Sequence, residues 1–183
     1  MDAREKISVA LKQELALVPL KKVTVAAVAK RAGITRQTFY YHFADVEDAA
    51  VWVFQHEVGA HILSHASYRR WVPGLIQLMN YMSDHAEQVD AILNSLSVQQ
   101  TEQFFFQQLR IMMSAIVSEL GGDKLHAADR RFIIDHYTLA VVGHLLHWLN
   151  NNRREPPEAL VKNISFIMCG HGIESIHRFR ERG

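Results

Sequence analysis

Between residues 36 and 42 the chain sets Arg36, Gln37, Thr38, Tyr40, Tyr41 and His42 nearly side by side, a density of donors and planar groups that a merely solvated helix seldom carries. Arginine pairs bidentately with guanine and glutamine with adenine, and a threonine methyl packs on the thymine methyl. Tyrosine hydroxyls and imidazole donors suit phosphate oxygens. Arg36 and Gln37 are therefore expected to read bases, and Thr38, Tyr40, Tyr41 and His42 mainly to hold the protein on the backbone. Thr24 and Thr35 complete the candidate DNA-contacting set. This is recognition rather than turnover. The chain has no nucleophile elbow, phosphate-binding glycine loop or spaced metal motif, so neither an enzyme nor a cofactor is expected.

These residues need a scaffold, and the stretch VTVAAVAKRAGITRQTFYYHF, residues 23–43, has the parts of a helix-turn-helix in order. Val28 and Ala32 point inward from a first helix, and Ala29 is small where two helices would cross. Gly33 takes the turn, where a positive φ costs glycine nothing. Ile34 plugs the space beneath it. Thr35 is a hydroxyl N-cap, and Phe39 and Phe43 anchor the second helix to a core.

Apolar residues recur at three- and four-residue spacing almost throughout, and β-branched residues nowhere alternate, so the fold class is all-α. About nine helices are expected, near 2–17, 25–32, 36–43, 47–64, 72–84, 86–96, 101–120, 128–151 and 157–179. Ile7, Leu11 and Leu15 stripe the first. Asp45 caps the fourth, with Asp48 at its third position. Pro73 and Pro157 lie near helix starts, and Gly121 ends the seventh. A basic helix-turn-helix domain is expected over 1–46 and a larger helical domain over 47–183.

The stretch TVAAVAKRAGITRQTFYYHFADVEDA, Thr24 to Ala49, resembles the fingerprint T-V-x-x-I-A-x-x-A-G-V-S-x-x-T-F-Y-Y-H-F-x-D-K-E-x-L of the tetracycline-repressor family of bacterial regulators. That resemblance implies a homodimeric repressor with a helical ligand or dimer domain behind each DNA-binding head, so effector binding and dimerisation fall to residues 47–183. Two positions depart from it: Val46 replaces a lysine that contacts phosphate in the family, and Ala49 replaces a leucine. More loosely, HYTLAVVGHLLHWLNNNRREPPEAL, residues 136–160, is similar to a subgroup of regulators of dihydroxyacetone kinase, some of which act through a protein partner rather than a metabolite.

Charge distribution agrees with a nucleic-acid face at one end. Residues 1–45 hold eight Lys or Arg against four Asp or Glu, a local +4, while residues 46–183 hold twelve against fifteen, a local −3. The expected partners are double-stranded DNA carrying a palindromic operator, a second copy of the chain, and a small-molecule effector or protein partner. A lone Cys169 and six methionines suit a reducing cytosol. With no signal-like run and no apolar segment near the roughly 20 residues of a span, a cytoplasmic protein that makes no use of a membrane is expected.

The larger domain offers three further clusters. Trp71, Met79, Met82, Phe105, Met112 and Tyr137 either line an adaptable apolar pocket or form plain core. Phe132 to Leu149 is apolar on nearly every side, so one face can meet its own core and another a partner subunit. The candidate dimer residues there and on the last helix are Val141, His144, Leu145, Trp148, Phe166 and Ile173. Among eleven histidines, His136, His144 and His147, and separately His61 and His65, fall at helical spacing. Zinc needs about four ligands, usually with a carboxylate or thiolate among them, so no metal site is expected. The rival readings are a protein-binding co-activator of the same fold with weak operator binding, and a small-molecule-binding protein.

Overall fold

The computed structural model describes residues 2–182, and among them there are nine α-helices, two short 3-10 turns and no strand. The helices are α1 (Ala3–Leu15), α2 (Val25–Ala32), α3 (Arg36–His42), α4 (Val46–Ser64), α5 (Trp71–Asp84), α6 (Ala86–Asn94), α7 (Val98–Glu119), α8 (Ala127–Asn150) and α9 (Pro157–Arg182). The all-α fold expected from the 3.6-residue periodicity is the fold observed.

Two compact units divide the chain: residues 1–57 with 85–97, and residues 58–84 with 98–183. Their outlines do not follow chain order, because α6, which the sequence-based division at residue 46 assigns to the larger domain, joins the first unit. Val89 and Ile92 are its buried positions. The Gln88 amide donates to the Leu15 carbonyl at 2.7 Å, satisfying an orphan acceptor at the end of α1.

In the first unit, Asp2 and Glu5 form a reciprocal capping box at the start of α1. Ile7 and Leu11 are fully buried as their spacing predicts, together with Ala10, whereas Leu15 is only half-buried. Leu20 and Val23 are buried on either side of Lys21 and Lys22, so the 3-10 turn Leu20–Lys22 is pinned with both lysines outward. Val28 and Ala29 are the buried face of α2, and Ala32 is half-buried. Gly33 ends the helix at φ 65°. The Ile34 N–H donates to the Ala29 carbonyl and the Gly33 N–H to the Lys30 carbonyl, the two bonds of a Schellman ending. That turn sets the direction of α3.

The second unit holds the end of α4 with α5, α7, α8 and α9. Gly74, in the first turn of α5, is a steric requirement, since a Cβ there would lie 2.4 Å from the His65 Cβ. α8 buries Ile133, Ile134, Tyr137, Val141, Val142, Leu145 and Trp148 along one side. Thr138 is buried with them and donates to the Ile134 carbonyl at 2.7 Å, so its hydroxyl is satisfied within the helix. The other side of α8 is open within this single chain: Phe132 is 61% exposed and Leu139 54%. No helix of the described residues is long and apolar enough to cross a membrane.

Candidate nucleic-acid interface

The head is ordered from inside outward by α3. Phe39 is fully buried and Phe43 nearly so, their rings 5.9 Å apart, and Phe43 continues to Trp52 at 5.7 Å. With those rings facing inward, helical spacing turns Arg36, Gln37, Tyr40 and Tyr41 out to solvent, and Thr38 and His42 lie at the border. Tyr41 is 85% exposed, and its ring stands perpendicular to that of His42 with centroids 5.0 Å apart.

The threonines first serve the backbone and keep one donor in reserve. Thr24 caps α2 by accepting from the Ala27 N–H at 3.2 Å, which leaves its own hydroxyl hydrogen free to donate. Thr35 caps α3 by accepting from the Thr38 N–H at 3.0 Å, and its hydroxyl also meets the Thr38 hydroxyl at 2.8 Å. Of the two hydroxyl hydrogens in that pair, one is used between them and one remains. Both caps present hydroxyl donors beside helix N-termini, an arrangement suited to phosphate oxygens.

The head's cations fall into two groups. Arg31 is held by Glu14 at 2.6 Å and Lys12 by Glu57 at 2.5 Å, so both belong to the scaffold. The Arg4 guanidinium lies 5.8 Å from the Phe43 ring centroid and 5.7 Å from that of Trp52, a packing role that spacing alone did not reveal. Lys21, Lys22, Lys30 and Arg36 are exposed and make no ion pair or side-chain hydrogen bond among the described residues. The start of α4 is acidic instead. The Asp45 carboxylate accepts from the Asp48 N–H at 2.8 Å, and the Asp48 carboxylate accepts from the Ala44 N–H at 2.9 Å. Val46 is buried between them, where the family fingerprint has lysine.

In the second unit the expected clusters are redistributed. Trp71 and Tyr137 line one cavity, bounded also by Tyr68, Met113, Cys169 and Gly172. Met112 lines a smaller one, beside His61 and His65. Met79, Met82 and Phe105 are buried and line neither of these two cavities. The dimer candidates split as well. Val141, Leu145 and Trp148 are at most 3% exposed inside the chain's own unit and cannot present a surface. His144, Phe166 and Ile173 are exposed, in company with Phe132, Leu139, Gly143, Ile167 and Gly170. Three of the expected residues on α8 lie on the side taken by the chain's own core, because an almost uniformly apolar helix carries no pattern that says which side that is.

The histidine pairs have structural partners. The rings of His61 and His65 are 4.4 Å apart, with His61 Nε2 2.8 Å from the Gly74 carbonyl and His65 Nδ1 2.9 Å from the His61 carbonyl. No group of three or more His, Cys, Asp or Glu able to hold a metal ion is found among the described residues.

Residues 7–48 match the family model described as bacterial regulatory proteins of the tetR family. Residues 69–170, more than half of the chain, match the model described as transcriptional regulator C-terminal region. Among curated proteins, 64 residues are 28% identical to the HTH-type dhaKLM operon transcriptional activator DhaS of Lactococcus lactis, covering 35% of this chain and 34% of that protein, so the match spans about a third of the relative's length. Among solved structures, the dihydroxyacetone kinase operon activator DhaS is similar with a TM-score of 0.66 at 20% identity, over 92% of this chain and 95% of that one. The TetR-family repressor AlkX from Dietzia sp., implicated in biodegradation of n-alkanes, gives 0.65 at 15% identity over 94% and 96%. At such identities the two structures attest the fold.

Proposed function

The chain belongs to the TetR family of bacterial transcriptional regulators, and from that premise we propose that it is a cytoplasmic homodimeric repressor, each head reading half of a palindromic operator. The observation that carries this reading is the outward row on α3. There Arg36 and Gln37, unpartnered among the described residues, stand beside Tyr40 and Tyr41 while Phe39 and Phe43 fix the helix from behind. Arg36 and Gln37 read base edges. Thr24, Thr35, Thr38, Tyr40, Tyr41 and His42 hold the sugar-phosphate backbone. Lys21 and Lys22, pinned outward three and two residues before the cap of α2, supply phosphate neutralisation where Val46 provides none.

Dimerisation uses the exposed side of α8 and α9. Phe132, Leu139, Phe166, Ile167 and Ile173 are apolar and wet, and a Cβ built on Gly143 or Gly170 meets nothing within 4 Å, so two helix pairs can approach closely there. The second unit is the effector-binding and dimerisation part. A ligand there lowers operator affinity only through a higher affinity for the head separation that does not fit DNA.

A second reading has its own support. The carboxylates of Asp45, Glu47 and Asp48 crowd the start of α4, and the DhaS relatives are described as activators. A co-activator working chiefly through a protein partner would tolerate such a weakened head. Anisotropy titration of labelled duplex with purified protein separates the two. The repressor reading expects salt-sensitive binding that Tyr41→Phe weakens on every sequence alike, whereas binding indifferent to both Arg36→Ala and Tyr41→Phe would contradict the assignment of α3.

A further inference from the structure

At seven residues α3 is too short to hold a direction by itself, so the fold must fix it at both ends. The first end is held by the Gly33 turn and the Thr35 cap. The other end is Phe43, extended in backbone, whose N–H donates to the Phe39 carbonyl at 3.0 Å before α4 begins at Val46. Its ring packs on Phe39 behind α3 and on Trp52 of α4. Trp52 is itself seated, because the His56 ring lies parallel to it, with 6° between the planes and 5.0 Å between the centroids.

A third element reaches this bend. The Arg4 guanidinium, from the first turn of α1, lies 5.8 Å from the centroid of Phe43 and 5.7 Å from that of Trp52, so it meets both rings at once. Asp2 and Glu5 order the turn from which it projects, each carboxylate accepting from the other residue's N–H, at 2.8 and 2.9 Å. Arg4 is exposed and makes no ion pair or side-chain hydrogen bond among the described residues, so the two rings are what place it. A planar, weakly hydrated guanidinium suits that place better than an ammonium group. We propose that Arg4 is a positioning residue: from α1 it holds Phe43 and Trp52 together across the α3–α4 bend and so fixes the direction in which α3 is presented to DNA. The inference rests on the reading of α3 as the DNA-contacting helix. The His42 ring is 6.5 Å from that of Phe43 and the Tyr41 ring 5.0 Å from that of His42, so the backbone-holding end of α3 is linked ring by ring to Arg4. Arg36 and Gln37 stand at the start of the same short helix and turn with it.

The full chain is compared with Arg4→Ala and Arg4→Lys under conditions where circular dichroism shows all three folded. Arg4→Met, which keeps an unbranched stem without the charge, takes the place of Arg4→Ala if that variant fails to fold. Without DNA, the Phe43 amide hydrogen should exchange about three- to tenfold faster in Arg4→Ala, as expected for the loss of exposed cation–π contacts, and Arg4→Lys should recover part of the protection. With DNA, Arg4→Ala should weaken binding to the duplex the parent protein selects by a similar factor and to a random duplex by less. The slope of log affinity against log salt should stay in place. In a Trp52→Leu background the same substitution should change much less, because the two residues act as one unit. Unchanged exchange at Phe43 or additive losses with Trp52→Leu would overturn the inference. So would a slope lower by about 0.9 per subunit with both duplexes weakened alike, the mark of a direct phosphate contact. A parent protein that selects no duplex contradicts the DNA reading, and exchange at Phe43 still decides whether Arg4 holds the end of α3.

Discussion

Arg36 stands at the first position of α3 with no partner among the described residues, so its removal tests the proposed base contact without disturbing the core. Arg36→Ala should cost about 1–3 kcal/mol at the preferred base and relax specificity there, read by affinities on a panel of single-base operator variants. The lysine pair behaves differently. Lys21→Gln with Lys22→Gln removes the two proposed phosphate contacts per subunit, and each such contact contributes about 0.9 to the slope of log affinity against log salt. A flattening of roughly 3–4 per dimer is expected, uniform across sequences, while Lys12→Gln, whose charge is engaged by Glu57, should leave the slope unchanged. Residue identity alone made the outward row of α3 legible. The pairing of Arg31 with Glu14, seventeen positions away, was not, because local spacing is silent about partners brought together by the fold.

At the scale of the element, the α2–α3 turn depends on a backbone conformation rather than on a contact. Gly33 sits at φ 65° with nothing within 4 Å of a built Cβ, so a substitution there is penalised by conformation alone. Gly33→Ala should lower the head's stability by about 1–2 kcal/mol, and Gly33→Asn by less, measured by denaturant unfolding. Thr35→Ala should cost about 1 kcal/mol by releasing the Thr38 N–H. Helix existence was legible almost everywhere because Pro, Gly and cap residues punctuate a steady 3.6-residue period. α8 shows where that signal fails. Its apolar residues surround the helix, so Val141, Leu145 and Trp148 were expected at a partner surface, yet they fill the chain's own core while Phe132 and Leu139 stay exposed. The grouping of α6 with the head was equally hidden, since it rests on contacts far apart in sequence, such as that of Gln88 with Leu15.

For the whole molecule, the proposed dimer joins two heads of modest phosphate-binding capacity into one reader. Phe166 is 86% exposed and Ile173 40%, so charging both disturbs little of the protomer's own core. The double variant Phe166→Glu, Ile173→Glu should sediment as a monomer and lose most operator affinity while keeping its helical content. The most direct measurement is selection of bound duplexes from a random pool by the purified full chain, followed by footprinting of the winners. The account predicts an enriched palindrome whose half-sites are protected symmetrically, their centres about 34 Å apart along one face of the helix. No enriched sequence, or a footprint without two-fold symmetry, would contradict it.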